Sequence, residues 1–109
     1  MKTKIKKLEF KLVWLTDKSG YWFEAAPMKS LLKDLVYVIE VEYAAGAKEI
    51  ITKKTPVDYY IPAILRPGED EDNRFLVSKS KAKRIKRLED AMDICQAHWD
   101  KVVNTLLVR

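Results

Sequence analysis

Apolar residues recur at intervals of three and four between residues 88 and 107. The stripe consists of Leu88, Met92, Cys95, Trp99, Val102 and Leu106. This spacing places them on one face of an α-helix whose first turns hold Glu89, Asp90 and Asp93, and acids suit the positive end of the helix dipole. Because a one-sided helix of this length is marginal alone, the pattern predicts that it packs against another element.

The first part of the chain alternates with a period of two instead. Apolar and polar residues exchange places along residues 7–15, a pattern that predicts a strand with one buried face. Residues 16–20 are typical of a turn, in which Gly20 is free to take positive φ. The aromatic stretch 21–26 then completes a predicted β-hairpin.

Residues 27–45 fit two interpretations. As a helix, they would have Pro27 at the first position and Gly46 just beyond the end. As a strand, residues 35–43 are dense in β-branched and aromatic side chains, which are mediocre helix formers. We favour a strand at 35–43, preceded by a turn or short helical piece at 28–33.

The remaining elements complete the predicted fold. Strands are expected at 49–53, 58–65 and 74–77, with a loop at 66–73, and Pro62 favours a sheet edge or a bulge. In the polar connector, Ile85 is expected to pack inward before the long helix. The prediction is one α+β domain over residues 1–109, an antiparallel β-meander of four to six strands packed against one long C-terminal helix. The sheet covers about 7–78, the basic connector 79–87 and the helix about 88–107.

Charge is distributed unevenly along the chain. Residues 1–7 contain four lysines and no acid, and residues 79–87 contain six basic residues and no acid. The rest has eleven basic and sixteen acidic residues, a net charge of −5. The candidate binding residues of the connector are Lys79, Lys81, Lys83, Arg84, Lys86 and Arg87. Such a segment can be a solvated linker, a phosphate-binding element or a contact for an acidic protein.

Two aromatic side chains are added to these candidates. Trp22 and Tyr60 alternate with neighbours expected to point inward, so both are predicted to be exposed. An exposed aromatic beside basic residues suits either a protein hot spot or base stacking.

No catalytic, cofactor or metal motif is apparent, so we expect a protein that is not an enzyme and that needs no cofactor. Cys95 and His98 lie three residues apart, but no second pair completes a metal site, and a core thiol is the simpler interpretation. The acids at 69–72 lack the ligand spacing of an EF-hand loop and are expected to be a solvated loop.

Several short sequence motifs and their order along the chain resemble those of a group of small, mostly uncharacterised proteins of tailed phages and prophages. The resemblance consists of Val13-Trp14, the run 20–25 (GYWFEA), Tyr37-Val38-Ile39, and the helix phrases 88–91 (LEDA) and 95–99 (CQAHW). Residues 44–84 are longer and more charged than that pattern. The resemblance implies a phage or mobile-element origin and no known active site.

These observations lead to two hypotheses of function. In the first, the chain is a non-enzymatic interaction protein that binds and modulates a host protein, as an anti-defence inhibitor would. In the second, it is a small basic nucleic-acid-binding protein. Since no apolar run approaches the ~20 residues that span a bilayer, no membrane partner is expected. The lone cysteine and the absence of a signal-peptide pattern predict the cytoplasm of the host cell.

Overall fold

The structure is a computed structural model that describes residues 7–15, 20–26, 36–44, 52, 54–65 and 74–107, the side chains of the last helix as far as residue 104. Its strands are β1 (Lys11–Trp14), β2 (Tyr21–Ala25), β3 (Val36–Tyr43) and β4 (Val57–Leu65). Its helices are α1 (Lys79–Ala82) and α2 (Leu88–Leu107).

The four strands form one antiparallel sheet in the order β1-β2-β3-β4. The predicted α+β fold, with a β-meander and a C-terminal helix, is therefore confirmed, and the strand interpretation of residues 36–43 is correct. The predicted strand at 74–77 is wrong, because this segment forms only one isolated bridge, between Ala63 and Phe75. The predictions for 28–33, for 66–73 and, apart from the irregular Thr52, for 49–53 lie outside the described residues.

Strand register decides which side chains face α2. Leu12 lies opposite Phe23, Phe23 opposite Ile39, and Ile39 opposite Pro62. Cross-strand partners share a face of the sheet, so these residues and their alternate neighbours form one layer. Tyr37 and Ile64 form the next row of that layer and belong to the core cluster with Cys95 and Trp99 of α2.

The helix presents the face that its sequence pattern predicts. Ala91, Cys95 and Trp99 are buried in the core cluster, and Ile85, just before α2, is buried in it as well. Around them pack the partly buried residues Leu88, Met92, Ile94, Val102 and Val103. The sheet and α2 thus form two layers that meet at this core cluster.

The outer edge of β4 is covered by backbone hydrogen bonds. Tyr60 and Ile64 direct their N–H groups away from β3 and donate them to the carbonyl oxygens of Ile85 and Arg74, at 2.9 and 2.8 Å. Pro62 lies between them on the same outer side, and its carbonyl oxygen accepts from the N–H of Leu76 at 3.0 Å. The proline ring therefore costs no hydrogen bond in the β3–β4 ladder, which explains its place in this strand.

Gly20 is required for space rather than for a positive φ. A Cβ at this position would lie 2.5 Å from the Tyr43 hydroxyl oxygen, which also accepts a hydrogen bond from the backbone N–H of Tyr21 at 3.1 Å. We expect Gly20→Ala to lower the free energy of unfolding by about 1–3 kcal/mol, measured by chemical denaturation. The same substitution in a Tyr43→Phe background should cost less, since the hydroxyl is gone. An equal cost in both backgrounds would contradict this explanation.

Candidate binding surface

The basic connector folds into a short, anchored turn. We call residues 79–87 the basic turn; it consists of α1 and the loop that leads to α2. The Ser78 side chain caps α1 by accepting a hydrogen bond from the backbone N–H of Lys81 at 3.3 Å. Ala82 and Ile85 point inward and are buried, and the Ile85 carbonyl is bonded to β4. Its apolar residues therefore hold the turn against the sheet while its charged residues project outward.

All six basic side chains of the basic turn are exposed, but they are not equivalent. Lys86 forms an ion pair with Asp58 at 3.0 Å, and Arg87 forms one with Glu89 at 3.5 Å. The remaining four have no ion pair within the described part of the chain. These unpaired cations are Lys79, Lys81, Lys83 and Arg84.

Acidic residues border the basic turn on its C-terminal side. Glu89, Asp90 and Asp93 are exposed in the first turns of α2. Glu89 and Asp90 lie in the first turn, where they stabilise the positive end of the helix dipole, and all three acids follow the basic turn closely in the chain. The surface is consequently one of mixed charge, with a basic part and an acidic part next to each other.

Neither aromatic candidate is exposed as predicted. Tyr60 is partly buried and packs against the core cluster, because it lies on the face of β4 that is turned toward α2. Burial raises the pKa of its hydroxyl, and the charge of Glu89 adds to the shift. Trp22 lies on the other face and is also partly buried, and its indole N–H has no hydrogen-bond partner among the described residues. The middle of that face is covered, since Val38 and Ala63 on it are completely buried.

The exposed aromatic side chains in the described residues are Trp14 and Phe75, at 43% and 41% exposure. Phe75 lies at the outer edge of β4, four residues before the basic turn. The guanidinium carbon of Arg74 is 4.2 Å from the centre of its ring. Glu40 holds the same guanidinium through two hydrogen bonds of 2.8 and 3.2 Å. Phe75 is thus an exposed ring with a fixed cation on one side, a candidate that the strand-like sequence of this segment concealed.

The surroundings of Cys95, the nucleophilic side chain of α2, disfavour reaction of its thiol. Cys95 is completely buried, and burial raises the pKa of its thiol to about 12. The hydroxyl of the buried Tyr37 and Nδ1 of His98 share a hydrogen bond of 2.7 Å. Within the described residues, no group of three or more His, Cys, Asp or Glu side chains could hold a metal ion. Cys95 and His98 therefore pack in and around the core.

Over the residues that the structure describes, the helices are too short or too polar to cross a bilayer. Comparisons with protein-family models, with curated proteins and with solved structures find no match to this chain.

Proposed function

We propose that this chain is a small non-enzymatic interaction protein that binds a host protein through the basic turn and Phe75. The observation that carries the proposal is a group of four exposed cations on an anchored turn, without an ion pair among the described residues, and an exposed aromatic ring four residues earlier in the chain. Aromatic side chains and arginine are enriched among residues that dominate binding energy at protein interfaces. A partner with an acidic patch next to an apolar pocket would match this surface.

The acids at the start of α2 favour a protein partner over nucleic acid. A nucleic-acid backbone presents regularly spaced negative charges, so a protein that follows it needs a continuous positive surface. Asp90 and Asp93, which are exposed and follow the basic turn in the chain, would repel such a backbone. A protein surface can instead place acids against the turn and cations against the first turns of α2, and complementary charge of this kind fixes partner and register.

The proposal includes a phage origin and action in the cytoplasm of the host. It rests on the resemblance to small phage and prophage proteins in the hairpin and the helix phrases. A protein with an anchored charged turn and a buried thiol acts more readily by occupying a partner's surface than by reaction. Inhibition of a host protein, including a defence protein, is the corresponding mode of action.

The proposal is tested by reversing charge on the basic turn. The partner is first captured from nuclease-treated host lysate and purified, and its affinity is then measured for the wild type and for Lys83→Glu/Arg84→Glu. We expect at least tenfold weaker binding, because two attractive contacts become repulsive. The control Lys7→Glu/Lys54→Glu changes net charge equally at exposed positions outside the turn and should bind as the wild type does. Equal losses in both variants would argue against a specific role of the turn.

Nucleic-acid binding is the second candidate, supported by the same four cations. If all four contact phosphates, affinity for DNA or RNA should fall about a hundredfold between 50 and 200 mM salt, because each contact releases a counterion. Neutralising the turn should then weaken binding to all sequences alike. Affinity tighter than micromolar at physiological salt, with this salt dependence, would replace the protein-partner proposal with this one.

A further inference from the structure

Among the described strands, the outer side of β1 is an open edge of the sheet. The order of strands places β1 at one end, paired only with β2. The N–H of Leu15 donates to the Gly20 carbonyl at 2.9 Å, so Leu15 directs its backbone groups toward β2. Because direction alternates along a strand, Val13 and Lys11 do the same, whereas Leu12 and Trp14 direct theirs outward. In the described part of the chain no strand pairs with this outer side.

When two copies of this edge run in opposite directions, the side chains of one copy are complementary to those of the other. Glu9 and Lys11 are exposed on one face of the strand and have no ion pair within the described residues. On the opposite face, Leu8, Phe10 and Leu12 are partly buried apolar residues. If two such strands run antiparallel about an axis through Phe10, each Lys11 meets a Glu9 of the other strand. The same arrangement brings Leu8 opposite Leu12 on the apolar face.

We infer that residues 8–12, the start of β1 and the segment directly before it, pair with the same residues of a second copy of this chain. The pairing is antiparallel and centred on Phe10, and it joins two four-stranded sheets edge to edge. Two-fold pairing is the commonest way in which identical chains associate, and it uses each contact twice. The backbone groups that point outward at Phe10 and Leu12 gain partners, and two Lys11–Glu9 pairs form at non-hydrogen-bonded positions, where side chains approach most closely.

The second copy is favoured over an unrelated extended peptide by this charge pattern. A two-fold axis through Lys11 would place like charges opposite each other, which is destabilising. The axis through Phe10 avoids this and satisfies both charged residues. The N–H of Leu8 is already donated to the Gln96 side chain at 2.8 Å, so the pairing is short and the association weak, in the micromolar range.

The test is a charge exchange monitored by sedimentation over a micromolar concentration series. The wild type should form a dimer, and Glu9→Lys should weaken self-association about tenfold, because two attractive pairs become repulsive. Lys11→Glu should act in the same direction, and the double exchange Glu9→Lys/Lys11→Glu should restore association. Since Lys11 also lies opposite Glu24 within the chain, thermal unfolding of each variant controls for stability. The control Lys54→Glu, outside the β1 edge, should dimerise normally.

Register is tested by cross-linking. Glu9→Cys/Lys11→Cys should form disulfide-linked dimers on mild oxidation, because each new cysteine faces one of the other copy, whereas Lys11→Cys alone should not. The native Cys95 is buried and does not interfere. A wild type that stays monomeric throughout the series, or a dimer that survives both charge reversals, would overturn the inference. Cross-linking of Lys11→Cys alone would overturn the register centred on Phe10.

Discussion

Replacement of Trp99 by alanine is expected to lower the free energy of unfolding by about 3–5 kcal/mol, the largest effect of any single substitution considered for this chain. The Trp99 side chain is 3% exposed and belongs to the core cluster between α2 and the sheet. Its ring stands edge-on to that of Tyr37, with centroids 6.3 Å apart. The substitution therefore removes a large apolar volume and an aromatic contact, and the remaining core cannot close around the cavity. Urea denaturation followed by circular dichroism measures the change.

Trp14 provides the matched control for this prediction. The same substitution, Trp14→Ala, removes a ring that is 43% exposed and that contacts Tyr21 edge-on at 5.2 Å. We expect a loss of about 1 kcal/mol, because much of this ring is already in water. A similar loss for both variants would mean that α2 does not hold the sheet through Trp99.

The second large effect is a loss of stability in alkaline solution that depends on Cys95. Burial raises the pKa of this thiol from 9.0 to about 12 in the folded protein. The unfolded chain therefore loses this proton above pH 9 while the folded protein keeps it, so stability is complete below pH 9 and falls as the pH rises toward 12. The expected slope approaches about 1.4 kcal/mol per pH unit.

Comparison with Cys95→Ala isolates this contribution. The alanine variant has a constant cavity cost and no thiol, so the stability difference between it and the wild type should shrink by about 1.4 kcal/mol between pH 8 and pH 10. The raised pKa values of Tyr21, Tyr59 and Tyr60 affect both proteins equally and cancel in the difference. A difference that stays constant over this range would mean that water reaches the thiol.

Periodicity predicted the elements that have a single buried face. The helix at 88–107 was predictable because apolar and polar residues separate cleanly there, and the first hairpin because alternation along 7–15 is followed by turn residues and an aromatic stretch. The strand over residues 36–43 was harder, since Val38 and Ile39 are both completely buried although they point to opposite faces. A strand buried on both sides loses its alternation, and β-propensity alone favoured the correct interpretation.

The candidate surface was predicted in its charges but not in its aromatic residues. Lysines and arginines of the basic turn are exposed because nothing in the core could accept them, so their sequence alone sufficed. Tyr60 was misplaced because β4 carries apolar residues on both faces, which leaves the alternation undecided. Phe75 was missed because Leu76 and Val77, which follow it, are apolar as well, and only the single bridge to Ala63 places its ring at an exposed edge.

The covered outer edge of β4 limits how large an assembly this sheet can form. Addition of strands on both sides would allow chains to stack without end, as in a fibre. Here the groups that a new strand would need at Tyr60, Pro62 and Ile64 are already bonded to Ile85, Leu76 and Arg74. Among the described strands, the β1 side is the edge left for growth, and the inferred pairing of two copies would use it. Residues 74–85 thus block the addition of a further strand at β4, so that assembly stops at a finite complex.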